Sequence, residues 1–151
     1  MLYQDVNGKK RFKPLGRKVS SDKRAYGIVF EDSKLLLVKP TYSQYFELPG
    51  GGLEGDEDIS DALKREILEE TGYFLKRVVG KPFVKKVRFY IRNKDSYAIS
   101  DYMFFRVEVE DTNRHDFNHG EIEEVKWVGL DELMNLRVKK IHLRMIRVLL
   151  S

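Results

Sequence analysis

The chain has 151 residues, of which 42% are hydrophobic and 34% charged, with a net charge of +4 and no cysteine. That length predicts one domain, residues 1–151, with a real core, and the composition excludes collagen-like, low-complexity and disordered classes. No apolar run approaches a membrane span, a disulfide framework or thiolate zinc site is impossible, and MLYQDVNGKKRFK at the N-terminus lacks the apolar core of a secretory signal, so a cytoplasmic location is expected.

Residues 8–24 hold eight bases and one acid, and residues 1–20 are expected to form a basic segment that is free to move or to contact RNA. Arg24 to Glu31 and Lys34 to Lys39 are short apolar runs separated by Asp32 and Ser33, which predicts a hairpin. A third strand is expected over Tyr45 to Leu48. Pro49 and three glycines then break the chain before a helical pattern that starts near Ile59, with Asp58 as N-cap, and stops at Gly72, where glycine suits a left-handed C′ position. Strands follow around 74–79, 82–91 and 97–109, then a polar loop over 110–120 and a strand over Glu123 to Val128. A short helix over Asp131 to Asn135 and a longer one over Val138 to Leu150 complete the pattern, the last with a core stripe of Val138, Ile141, Met145 and Val148.

Charge is uneven along the chain. Residues 54–70 carry eight acids against Lys64 and Arg65, a local charge of −6 that leaves +10 elsewhere, and residues 133–151 hold five bases and no acid. A compact acidic block on a basic protein suggests cations held beside a polyanionic ligand. At 3.6 residues per turn Glu66, Glu69 and Glu70 share one helix face. Ile59, Leu63, Glu66 and Glu70 also lie on one stripe, so the buried side of the helix turns acidic in its last two turns. Carboxylates are tolerated there when paired, hydrated in a cleft or bound to metal. Such hard oxygen donors suit Mg²⁺ or Mn²⁺ and neither Cu(I) nor a structural zinc.

The run GGLEGDEDISDALKREILEETGY, Gly51 to Tyr73, resembles the signature box of the Nudix hydrolases, and Leu48-Pro49-Gly50 resembles the family's lead-in. Every fixed acidic, basic and glycine position is present. Tyr73 departs from the usual bulky aliphatic, and Asp56 from a common glycine. The resemblance implies an α/β fold, a Nudix-type α/β/α sandwich with a mixed sheet. It also implies metal-dependent hydrolysis of a nucleoside diphosphate linked to another group. Carried over by position, Glu66, Glu69 and Glu70 would be metal ligands with the Gly51 carbonyl, and Glu57 and Arg65 an orienting ion pair. One carboxylate must take the proton of the attacking water, and the resemblance does not say which.

Outside the box, the run GEIEEVKWV resembles the family's late segment. Glu121, at the loop end, is the preferred further glutamate over Glu123 and Glu124. His115 and His119 have i, i+4 spacing without a third ligand and are expected at the surface. Tyr42, Tyr45, Phe46 and Tyr97 could stack on a base, and Tyr90 sits where dinucleoside-polyphosphate members carry a tyrosine. The expected substrate is a small nucleotide, with nucleoside triphosphates ranked before dinucleoside polyphosphates and ADP-ribose. An RNA 5′ end and a non-catalytic nucleotide sensor are the alternatives. The expected assembly is a monomer or homodimer.

Overall fold

The computed structural model describes residues 1–5, 7–111 and 117–151. Among these, the chain runs through β1 (Leu2–Gln4), β2 (Lys10–Phe12), β3 (Val19–Ile28), β4 (Phe30–Glu31), β5 (Lys34–Pro40) and β6 (Gly50–Gly52) to the helix α1 (Ile59–Thr71). It continues through β7 (Phe74–Ile91), β8 (Ser96–Glu110) and β9 (Ile122–Gly129) to α2 (Leu130–Leu133) and α3 (Lys140–Leu150). A six-stranded sheet has the order β2-β1-β7-β8-β3-β6, in which β1/β7 and β3/β8 are parallel and the other pairs antiparallel. A smaller antiparallel sheet has the order β4-β5-β9.

Period-two alternation sends successive side chains to opposite faces, and both faces are apolar. Ala25, Val29, Leu36 and Phe105 meet Leu63 and Ile67 of α1 on one side. Tyr26, Ile28, Leu35, Leu37, Phe104 and Val128 meet Met145 and Ile146 of α3 on the other. The result is the expected α/β/α arrangement: a strand apolar on both faces has to be covered twice. The hairpin between β4 and β5 also forms, with Asp32 and Ser33 at φ 50° and 61°, the positive values that a two-residue turn between twisted strands demands.

Four expectations are corrected. Tyr45 to Leu48 is not a strand; Phe46 and Glu47 make only isolated bridges, to Val138 and Val38. The segments around 74–79 and 82–91 are one strand, which absorbs the Gly80-Lys81-Pro82 interruption as register shifts against β8. The short helix ends at Leu133, not Asn135. In α3 the buried residues are His142, Met145 and Ile146, while Val148 is 52% exposed. That helix starts at Lys140 because Val138 is already bridged to Phe46, and the phase then turns a histidine inward. No helix among the described residues is long and apolar enough to cross a membrane.

Candidate active site

α1 is built as its sequence demands. Asp58 Oδ1 accepts the Asp61 N–H at 2.8 Å, and Gly72 closes the helix at φ 76° with its N–H on the Leu68 carbonyl. Leu63 and Ile67 are fully buried, each contributing about 2 kcal/mol of apolar burial, which helps offset the cost of the acid that follows on the same side.

That acid is Glu70, 8% exposed, whose carboxylate accepts the Gly50 N–H at 3.1 Å. Glu66, one turn earlier, is half-buried beside Gly51: a Cβ on Gly51 would stand 2.6 Å from Glu66 Oε1, so the missing side chain is the space the carboxylate occupies. β6, held antiparallel to β3 through Ala25↔Gly51, is thus set directly against the acidic face of α1. Burial, and then the charge of Glu66, push the Glu70 carboxyl well above its ordinary range; burial also pushes Glu66 up. Glu69 is exposed.

Arg65 ties the box together. It holds Glu57 through two hydrogen bonds, 2.8 and 2.9 Å, and reaches Glu66 Oε1 at 3.0 Å, Glu69 Oε2 at 3.2 Å and the Gly52 carbonyl at 3.1 Å. The Arg65 hydrogen bonds hold the Glu57 carboxyl below its ordinary range. With Arg65 on Glu66 and Glu69, and Gly50 on Glu70, no three acidic or histidine groups among the described residues converge on one point.

Glu121 lies on the same side of the molecule. The Asn118 N–H donates to the carbonyl of Glu69 at 2.7 Å, anchoring the end of the polar loop to the end of α1, and the Thr41 N–H donates to the Glu121 carbonyl at 2.9 Å. The neighbouring Tyr42, 82% exposed, feels the charges of Glu47, Glu70, Arg24 and Glu121 together. Glu123 is taken by Lys39. His119 is exposed with its ring against Phe117, and His115 lies outside the described residues.

The aromatic candidates separate by burial. Phe46 and Tyr97 are core, Tyr45 is half-exposed, and Tyr42 alone of the four is open beside the acids. Tyr90 is not at the site: it pairs with Tyr97 at the far end of the sheet and donates its hydroxyl to Asp95. Tyr73, the departure from the box, has a local reason, since its hydroxyl accepts the Trp127 indole N–H at 3.1 Å.

Two residues escaped the sequence reading. Glu47, 13% exposed at its side chain, pairs with Lys139 at 3.2 Å and adds negative charge near Glu70. Arg24 pairs with Gly52 across β3 and β6 and has a buried Nε without a hydrogen-bond partner. The only sign of either was a charged residue at the edge of an apolar run.

This geometry has counterparts. The sequence model of the NUDIX domain matches residues 22–149. The uncharacterized Nudix hydrolase YvcI of Bacillus subtilis (strain 168) is 26% identical over 105 residues, 70% of this chain and 64% of that one. An ADP-ribose pyrophosphatase of Methanocaldococcus jannaschii is 45% identical over 49 residues, 30% of this chain and 29% of that one. The chain therefore spans less than two thirds of the length of these curated relatives. Among solved structures, a NUDIX hydrolase from Nitrosomonas europaea aligns with a TM-score of 0.64 at 19% identity, over 85% of this chain and 87% of that one. With the domain model matched from within β3 to the last turn of α3, this chain belongs to the NUDIX domain family.

Proposed function

We propose that the chain, as a single domain over residues 1–151, is a divalent-metal-dependent hydrolase that cleaves the pyrophosphate linkage of a nucleoside diphosphate derivative. A nucleoside triphosphate is the first-ranked substrate, with a nucleoside monophosphate among the products. The observation that carries this reading is the pair of half-buried Glu66 and buried Glu70, side by side against Gly51 and Gly50. Two adjacent carboxylates in a partly dry site strongly favour a cation.

The donor set fits Mg²⁺ or Mn²⁺, being all oxygen: Glu66, Glu69 and Glu70, with the Gly51 carbonyl as the backbone contribution. When bound, such an ion supplies neutralisation of the diphosphate and a bound water of lowered pKa. The rest falls to the chain. Arg65, fixed by Glu57, positions Glu66 and Glu69 and would have to yield both to the metal. Arg24, whose side chain is 40% exposed and whose Nε is ion-paired with Asp22 at 3.6 Å, offers its guanidinium to a substrate phosphate. Tyr42 presents an open ring to a base, and Glu121, close in the chain to the Asn118 contact with the Glu69 carbonyl, is the carboxylate assigned to accept the proton of water.

A second reading, ADP-ribose as substrate, is favoured by the relative from M. jannaschii, whose similarity covers only about a third of this chain. A hydrolysis screen over nucleoside triphosphates, dinucleoside polyphosphates, ADP-ribose and 5′-triphosphorylated RNA, with Mg²⁺, Mn²⁺ or EDTA and product identification, tests the proposal. Metal-dependent release of a nucleoside monophosphate is the expected result. Turnover undiminished in EDTA, or binding of every nucleotide without cleavage, overturns it.

A further inference from the structure

The basic N-terminal stretch is folded onto the sheet edge far from the glutamates. β1 and β2 form a hairpin, and Gln4 pairs with Phe89 of β7. Beside it lies a cavity of about 260 Å³ lined by Asp5, Lys9, Arg11, Tyr90 and Arg92. Asp5 is 5% exposed and fully engaged: it accepts the Asn7 and Lys9 N–H groups and pairs with Arg92 at 2.7 Å. Arg11 rests 4.0 Å from the centre of the Tyr90 ring, a contact that fixes the guanidinium without neutralising it. Lys9 has no ion pair among the described residues.

A second cavity of about 370 Å³ is lined by Gly16, Arg17, Lys18, Lys94, Asp95 and Ser96. Its acid is likewise spent, since Asp95 pairs with Arg17 and accepts the Tyr90 hydroxyl at 2.8 Å. Lys18 and Lys94 are left without an ion pair among the described residues. The Tyr90–Asp95 hydrogen bond joins the linings of the two cavities, each of which carries three cations and one acid.

We propose that these paired cavities are a binding site for a chain of linked phosphate groups, separate from the glutamate cluster. One anionic group would satisfy one cavity, whereas two adjacent cavities with an excess of fixed and free cations fit a ligand that repeats its charge. Arg11 and Arg92 offer forked donors, and the lysines supply point charges that release counterions on binding. The site stands apart from the catalytic candidates: Val19, which pairs with Tyr97, is five residues along β3 from Arg24, about 17 Å at ~3.3 Å per residue. A single strand of nucleic acid and inorganic polyphosphate share this chemistry. The proposal does not rest on the hydrolase reading.

The test is fluorescence anisotropy of the full chain with a 5′-fluorescein-labelled twelve-residue oligouridylate in EDTA, which keeps divalent metal out of the acidic site. Lys9→Gln/Lys94→Gln removes two cations that make no structural contact, and Lys64→Gln on α1 makes the same kind of charge change elsewhere. The expected result is binding that weakens with salt, a Kd at least about tenfold higher for the double variant, a salt slope lowered by about 1.4, and an unchanged Lys64→Gln. Displacement by inorganic polyphosphate identifies the phosphate chain itself as sufficient, and failure to displace identifies a nucleic-acid strand. The proposal is overturned if neither ligand binds, if Lys64→Gln weakens binding as much as the double variant, or if polyglutamate displaces the probe as well as polyphosphate does.

Discussion

Glu70 Oε1 accepts the backbone N–H of Gly50 at 3.1 Å, so a buried acid of α1 holds the first residue of β6 in place. Glu70→Gln keeps an oxygen acceptor for that N–H but removes the charge that the fold leaves uncompensated. Activity is expected to fall by orders of magnitude while stability stays level or rises, because the buried like-charge pair is relieved. Metal-dependent rates and urea unfolding of the variant check this, and an active, equally metal-responsive Glu70→Gln refutes the role.

Gly51→Ala should separate geometry from stability in a different way. The new Cβ would stand 2.6 Å from Glu66 Oε1, and a carboxylate at the end of a flexible side chain moves aside more cheaply than backbone. The expected outcome is a stability change within about 1 kcal/mol and a large loss of metal affinity, read by titrating activity with Mg²⁺. A variant with normal metal response would show that Glu66 does not need its place beside Gly51.

Arg65→Lys replaces a planar fork that meets Glu57, Glu66, Glu69 and the Gly52 carbonyl with a single point charge. Loss of the bidentate grip on Glu57 is expected to cost about 1–3 kcal/mol of stability and to lower kcat more than it raises KM. Denaturant titration and steady-state kinetics provide the check.

Glu121→Gln is expected to reduce kcat by about 10²-fold or more if Glu121 takes the proton, whereas Glu124→Gln leaves it near wild type. Both are measured at saturating Mg²⁺, and a silent Glu121→Gln removes that residue from the site.

His142 carries a pH signature. It is wholly buried, with Nδ1 accepting the Leu48 N–H at 2.9 Å and Tyr26 and Phe104 rings against it, and burial holds its pKa well below 6.5. The unfolded chain therefore gains this proton near pH 6.5 and the folded chain does not, so the stability that His142 contributes is full above 6.5 and is lost as pH falls below it. Glu66 and Glu70, raised by burial, act with the opposite sign, so the quantity to measure is a difference. Between pH 7 and 5, wild type should lose stability relative to His142→Gln by up to about 1.4 kcal/mol per pH unit. Parallel pH profiles for the two proteins overturn the assignment.

Local rules made α1 readable: a cap at Asp58, a 3.6-residue stripe and a glycine stop act within one helix, and the structure returns each of them. The α/β/α layering came from the resemblance of the Gly51 to Tyr73 box, and apolar runs such as KLLLVK, buried on both faces, agree with it. What escaped depends on distant partners. Gly80 and Pro82 look like a break until β8 is present to pair through the irregularity. His142 looks polar until Leu48 offers an N–H to its ring nitrogen. Arg24 and Glu47 come beside the candidate site only because β6 lies along β3 and because Glu47 falls near the end of α1 that carries Glu70.

The Trp127–Tyr73 hydrogen bond makes the protein its own spectroscopic probe. Trp127 is the only tryptophan in the chain, and its ring meets Tyr73, the last residue of the glutamate box, edge-on at 5.9 Å. Emission excited at the indole band therefore originates from one seam, where β9 meets the end of α1, with no second fluorophore of its kind to average over. A shift in that emission would report displacement or loosening of the carboxylate helix against the small sheet, in real time and without a label.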